Sequence, residues 1–365
     1  MNNSPPDGRS AFAPNFAALQ HRPRPLPLFL SLLQRETAAN PAAMQRALAG
    51  LRKYQEAARP PPPAPMPAIA EARGAMLRGY GGDGPTVLFV PSLINPPSVL
   101  DLPGRSLLRW LAGQGRRVQL LDWGWPDAAR SGLSVAGHVE EILLPLIRGL
   151  DAPPDLVGYC LGGTMAIAAA ALAPVRSLAT IAAPWHFAGF PEEARTALAQ
   201  LWAQSRLTAE TLGVLPMEAL QSAFWGLDPA RTIAKFADFA TLEGEAASSF
   251  VTLEDWANDG PPLAVAAARE MFEDLFADDR TGRGAWRVAG MRIDPAAIAA
   301  PMLTIVSAGD RIVPQASAPR VGERIEVAQG HVGMVVGSRG KAVLWAPLAA
   351  WLDRHDAEPP TRRRG

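Results

Sequence analysis

The stretch that most constrains this chain is Leu156-Val157-Gly158-Tyr159-Cys160-Leu161-Gly162-Gly163-Thr164, an apolar run that ends in Gly-x-Cys-x-Gly and opens an Ala-rich segment, 165–172. The apolar run predicts a strand and the alanines predict a helix, so the chain must turn sharply between them at the cysteine. Glycines on both sides fit such a turn, because a Cβ there would collide with the neighbouring strand and helix. The stretch reads as a nucleophile elbow carrying a thiol. The turn lifts the sulfur above the sheet edge at a helix N-terminus, where backbone N–H groups favour a thiolate and can hold an oxyanion. A lone cysteine on a buried strand is also a common small core residue. The surrounding pattern has to decide between the two.

That pattern is alternating. Apolar, β-branched runs predict strands at 86–90, 117–123, 177–182, 302–307 and 324–328. Helices are predicted at 99–111 and from Ser134, where Val135, Val139, Ile142, Leu143, Leu146 and Ile147 keep a 3.6-residue period and Pro145 should bend the axis. Strands alternating with helices define an α/β chain with a mainly parallel sheet covered by helices on both faces. From 184 to 300 the strand pattern lapses in favour of helix-like runs at 192–204 and 263–276, which reads as an inserted helical cap. It holds five of the ten tryptophans, Trp185, Trp202, Trp225, Trp256 and Trp286. Packing is their ordinary use, and one or two can line an acyl pocket.

Ahead of the core, residues 1 to about 25 read as a flexible leader. Asn40-Pro41 reads as the cap and first turn of a short helix bearing Met44, Leu48 and Leu51, and 59–67 as extended Pro-rich chain. The expected organisation is leader, helical arm and linker over 1–70, core over 71–183, cap over 184–300, core again over 301–356 and a tail over 357–365.

Composition narrows the function classes. With 35 basic and 35 acidic residues the chain has no general electrostatic footprint for nucleic acid, and Arg362-Arg363-Arg364 reads as a solvated tail. A single cysteine among 365 residues excludes an intrachain disulfide and a Cys-based metal cluster, no Cys/His spacing suits zinc, and a reducing cytoplasm fits best. The run 26–33 after Arg22 and Arg24 resembles a signal-peptide core, but lies deep in the sequence without a small-residue cleavage site. Residues 156–175 are long enough to mimic a membrane span. Gly158, Gly162 and Gly163 make them a buried strand-turn-helix instead, so no transmembrane span is expected.

A thiol elbow needs a base to take its proton and an acid to orient that base. Of five histidines, His21 falls in the leader, His355 in the tail and His138 on the polar side of its helix, all three as surface residues, while His186 is a weaker candidate near the cap. His331 falls in the loop after the last strand, where an α/β-hydrolase fold places its base, and Asp310 follows the penultimate strand in the acid's position. An ordinary turn aspartate beside Gly309 would look the same. The order Cys160, Asp310, His331 is that of nucleophile, acid and base. The oxyanion donors would be the Leu161 N–H and a second N–H at Leu93 or Ile94.

Gly158-Tyr159-Cys160-Leu161-Gly162-Gly163-Thr164, Gly309-Asp310-Arg311-Ile312-Val313-Pro314 and Gly330-His331-Val332-Gly333 resemble the three catalytic segments of polyhydroxyalkanoate synthases, as do Leu93-Ile94-Asn95 and Leu100-Asp101-Leu102. The resemblance covers about residues 85–356, including Leu253-Glu254-Asp255-Trp256-Ala257-Asn258-Asp259-Gly260. It implies that Cys160 is acylated by (R)-3-hydroxyacyl-CoA, that His331 is the general base and that Asp310 supports it. Coenzyme A thioester would be the substrate and no cofactor would be needed. A polyester granule surface and a homodimer or separate partner subunit are the implied partners. The chain departs from the family's pattern at Arg311, where a histidine is usual, and at Pro96 and Pro97, where basic or aromatic residues are usual. Two alternatives stand beside polymerisation: a thioesterase or esterase using the same triad with water as acceptor, and a non-catalytic granule-binding relative.

Overall fold

The computed structural model describes residues 21–61 and 63–356. The expected leader as far as residue 20, Pro62 and the basic tail at 357–365 lie outside the described residues. The described residues form two compact units, one of residues 21–61 with Asp228–Asn258, the other of Pro63–Leu227 with residues 259–356.

The larger unit is built on an eight-stranded sheet of β1 (Ala68–Ala72), β2 (Ala75–Gly79), β3 (Thr86–Val90), β4 (Arg117–Asp122), β5 (Asp155–Tyr159), β6 (Ser177–Ile181), β7 (Met302–Ser307) and β8 (Glu323–Val327), in the order β1-β2-β4-β3-β5-β6-β7-β8. From β4 to β8 every pairing is parallel; β2 runs antiparallel to β1 and β4. Every residue of β5, β6 and β7 is buried, as continuous apolar runs in a covered parallel sheet should be. Helix Leu161–Leu172 is buried from Leu161 to Ala169, which suits a helix apolar on all sides. Residues 156–175 are therefore strand, turn and helix, and no helix among the described residues is long and apolar enough to cross a membrane.

Two local readings, the helix over 99–111 and the surface place of His138, are corrected. The helix expected over 99–111 is a 3₁₀ turn (Pro97–Leu100), a small hairpin pairing Asp101–Leu102 with Arg105–Ser106, and helix Leu107–Ala112. Gly104 takes a φ of +71° to make the hairpin turn, and the Ser106 hydroxyl caps the shortened helix by accepting from the Arg109 N–H at 2.9 Å. At Pro145 the backbone absorbs the missing donor with a π turn over Val139–Leu143 and continues as helix Leu144–Arg148. His138 is buried at 4% exposure, edge-on to Trp123 at 5.8 Å, with Nδ1 2.8 Å from the Ser134 carbonyl. Burial pushes its pKa down to about 4, against the pull of the Ser134 carbonyl, so it is a neutral core histidine.

The smaller unit packs helices Leu26–Thr37 and Pro41–Glu56 with Pro229–Phe239 and Gly244–Asn258. Asn40 caps the second helix as the sequence indicates, accepting from the Ala43 N–H at 3.0 Å. Gly50 lets two helices touch, since a Cβ there would lie 1.7 Å from the Phe236 carbonyl oxygen. Phe236 stands edge-on to Phe29, Tyr54 and Phe250, and Phe250 stacks on Phe239 at 4.2 Å. Residues 184–300 thus contribute helices to both units.

Candidate active site

The elbow is formed by the end of β5 and the start of helix Leu161–Leu172. Cys160 is held at φ 56°, ψ −131°, a region that a residue with a Cβ adopts only under local strain. Its N–H bonds the Ile181 carbonyl at 2.9 Å and its carbonyl accepts from Gly163 N–H at 2.8 Å. A Cβ on Gly158 would lie 2.4 Å from Gly163 Cα, one on Gly162 2.1 Å from the Val90 oxygen, and one on Gly163 2.3 Å from Ala183 Cβ. All three glycines are therefore required by close approach.

His331 lies after β8 with 8% exposure, and its Nδ1 is 2.6 Å from Asp310 Oδ2. Asp310, 6% exposed, is fixed through its other oxygen, Oδ1, which accepts from the Ile312 and Val313 N–H groups at 2.8 and 2.9 Å. Asp310 keeps this bond although the neighbouring Arg311 is exposed and charged. Burial opposes a charged imidazole at His331, but the charge of Cys160, the hydrogen bond His331 donates to Asp310 and its hydrogen bond with Cys160 outweigh it and hold the pKa up to about 10. The structure thus brings Cys160, His331 and Asp310 to one place. It leaves the other histidines elsewhere: His186 is half-buried with a pKa lowered first by burial and then by Arg320, and His355 packs on Trp351 in helix Ala346–Asp356.

Leu161 is the first residue of its helix, so its N–H has no intrahelical acceptor. Of the two alternatives for a second donor, Ile94 already donates its N–H to Ser92 Oγ at 3.0 Å. Leu93, 6% exposed, also lines a cavity of about 150 Å³ with Pro96, Pro97, Trp123 and Trp125. Asp122 and Asp259 line that cavity too and no Lys, Arg or His does, so its chemistry disfavours a phosphate. Sequence reasoning missed Ser92, which occupies one donor, and Ser307, whose hydroxyl donates to the Gln329 carbonyl and accepts from the Gly309 N–H at 3.0 Å, tying the acid's loop to the base's. Hydroxyls that bond to backbone leave no pattern in a sequence beyond the residue type. Among the described residues no group of three or more His, Cys, Asp or Glu is placed to hold a metal ion.

A parallel sheet with a strand-elbow-helix nucleophile position and histidine and aspartate in the loops after its last two strands defines an α/β-hydrolase-fold protein. The monoacylglycerol lipase of Paleococcus ferrophilus shares that fold, with a TM-score of 0.50 and 19% identity over 77% of this chain and 99% of its own. No protein-family model matches the chain. The poly(3-hydroxyalkanoate) polymerase subunit PhaC of Haloferax mediterranei is 30% identical over 291 residues, 73% of this chain and 58% of that protein. The same subunit from Allochromatium vinosum is 28% identical over 291 residues, 73% of this chain and 80% of its own. The chain belongs to the polyhydroxyalkanoate synthase family. It spans 58% and 63% of the Haloferax mediterranei and Haloarcula marismortui relatives.

Proposed function

We propose that this chain is an acyltransferase that takes (R)-3-hydroxyacyl groups from coenzyme A onto Cys160 and passes them to the hydroxyl end of a growing polyester. The observation that carries this reading is the 2.6 Å contact between His331 Nδ1 and Asp310 Oδ2, which turns the imidazole toward the elbow thiol in a chain of this family.

His331 takes the Cys160 proton, and the sulfur attacks the thioester carbonyl as a thiolate. The oxyanion is received by the Leu161 N–H and, of the two sequence alternatives, by Leu93 rather than Ile94; each such donor is worth about 3 kcal/mol. Collapse breaks the carbon–sulfur bond to coenzyme A, and His331 gives its proton to the departing thiolate. One thioester replaces another, so the acyl group stays activated.

Acylation also changes the base. Once Cys160 is a neutral thioester, the largest force raising the His331 pKa is gone while burial, which lowers it, remains. The deprotonated imidazole then takes the proton of an incoming hydroxyl, which attacks the Cys160 thioester and expels the thiolate again. The chain grows by one ester, and His331 regains its proton. Water must be kept from competing. We assign that task to aromatic residues between 184 and 300 that share the sheet's unit, such as the Trp185–Trp286 and Trp202–Phe272 pairs. The same reading places the enzyme in the cytoplasm, with a granule surface and a second synthase chain as its partners.

Purified protein given 3-hydroxybutyryl-CoA should release coenzyme A and accumulate polyester. Free 3-hydroxybutyrate in stoichiometric amount would make it a hydrolase with the same residues, and no coenzyme A release at all would make it a non-catalytic relative.

A further inference from the structure

The residue before the nucleophile has no part in the chemistry above, yet it touches the base. Tyr159 ends β5, is 4% exposed, and lays its ring against the His331 imidazole with centroids 5.0 Å apart and planes tilted by 32°. Its hydroxyl donates to the backbone carbonyl of His331 at 3.3 Å. One side chain therefore contacts both the ring and the main chain of the base.

The loop it contacts needs holding. Gly330 and Gly333 flank the base, and neither is pressed by its surroundings: a Cβ on Gly330 would find its nearest atom at 3.7 Å, and one on Gly333 nothing within 4 Å. The elbow glycines are locked by close approach; these two are not. Ser307 secures the loop at Gln329, and the turn of helix begins with Met334 donating to Gly330. Among the described residues, Tyr159 is what bonds the carbonyl of His331 itself.

We propose that Tyr159 is a positioning residue that sets the plane and height of the His331 ring between Cys160 and Asp310. This rests on the assignment of His331 as base. An aromatic face beside an imidazole favours its charged form, and a fixed ring keeps its two nitrogens on their two partners. Tyr159 itself stays neutral, because burial, then the charges of Cys160 and Asp310, raise its pKa well above the usual phenol value. The groups facing His331 are thus Cys160, Asp310 and a phenol that does not titrate with them.

The test uses the full chain and needs no substrate. The ring protons of five histidines can be followed by NMR as pH is raised, with His331→Gln assigning one of them. In the wild type His331 should titrate near 10. Tyr159→Leu, which removes ring and hydroxyl, should lower that midpoint by about one unit and slow iodoacetamide alkylation of Cys160 at pH 7 by roughly threefold or more. Tyr159→Phe keeps the ring and should recover most of the midpoint while leaving the alkylation rate below wild type. If Tyr159→Leu does not fold, the Tyr159→Phe alkylation rate decides alone: equality with wild type overturns the proposal. Unchanged midpoints and rates in both folded variants also overturn it and leave the base assignment standing. A wild-type His331 that titrates near 6.5 overturns both.

Discussion

His331 sits under opposed forces, with burial driving its charge off and Cys160 and Asp310 keeping it on. Removing the sulfur should show which is larger: in Cys160→Ala the His331 midpoint is expected to fall from about 10 toward the neutral range, by NMR titration, and no fall would mean that the thiol does not govern the base. The sign for stability follows. A folded-state pKa raised from 6.5 to about 10 contributes stability that is fully present below 6.5, erodes as pH rises and is gone above 10. The wild type's denaturation midpoint should therefore decline across that window more steeply than that of Cys160→Ala. At this scale the sequence was legible where chain order carries meaning: Cys160, Asp310 and His331 stand in the order of their loops. It was not legible at His138, whose helix position is polar by periodicity but is covered by Trp123, a neighbour that period cannot show.

The elbow is the element in which sequence and geometry agree most closely, because every atom near its glycines is crowded. Gly162→Ala places a Cβ 2.1 Å from the Val90 oxygen and 2.4 Å from the Pro91 oxygen, and backbone on both sides cannot swing away. We expect a loss of about 1–3 kcal/mol or more and a melting temperature lower by several degrees, with coenzyme A release reduced further than stability. Gly330→Ala meets nothing closer than 3.7 Å and should stay within about 0.5 kcal/mol of wild type. Equal melting temperatures for the two variants would show that the elbow is not tightly packed. The parallel strands were readable because burial on both faces leaves long apolar runs. The β1–β2 pair was not: β1 is Ala-rich and exposed over most of its length, and the Arg73-Gly74 turn is its main mark. The hairpin inside 99–111 hid for a related reason, since Leu100, Leu102, Leu107, Leu108 and Leu111 are all buried, and apolar residues at those spacings imitate a helix face.

In the larger unit, the edge of the sheet opposite the elbow is closed by charge. Asp155, fully buried at the start of β5, accepts from the Ser177 hydroxyl at 2.6 Å and from Arg176 at 2.6 and 3.2 Å, while Arg116, also buried, lies 3.6 Å from it and bridges to Asp353 and Asp356 in the last helix. Asp155→Asn leaves buried guanidinium charge short of a partner and should cost about 3–5 kcal/mol in urea unfolding, whereas a change under 1 kcal/mol would mean that the bridges to Asp353 and Asp356 hold the guanidinium groups without Asp155. Nothing in the sequence announces this network, whose members are separated by up to 240 residues. The pairing of the N-terminal helices with Asp228–Asn258 was equally hidden, because it joins two amphipathic stretches far apart in the chain. The fold class and the core of the site were legible because each depends on local pattern and loop order; the long-range partners were not. The central claim is that acyl groups pass through Cys160. Rapid quenching of the enzyme with a limiting amount of 3-hydroxybutyryl-CoA, followed by peptide mass analysis, should find hydroxybutyryl units on the peptide bearing Cys160, appearing with coenzyme A release and absent in Cys160→Ala. Coenzyme A released at the wild-type rate by Cys160→Ala, or by wild-type protein whose Cys160 never carries an acyl group, would contradict the account.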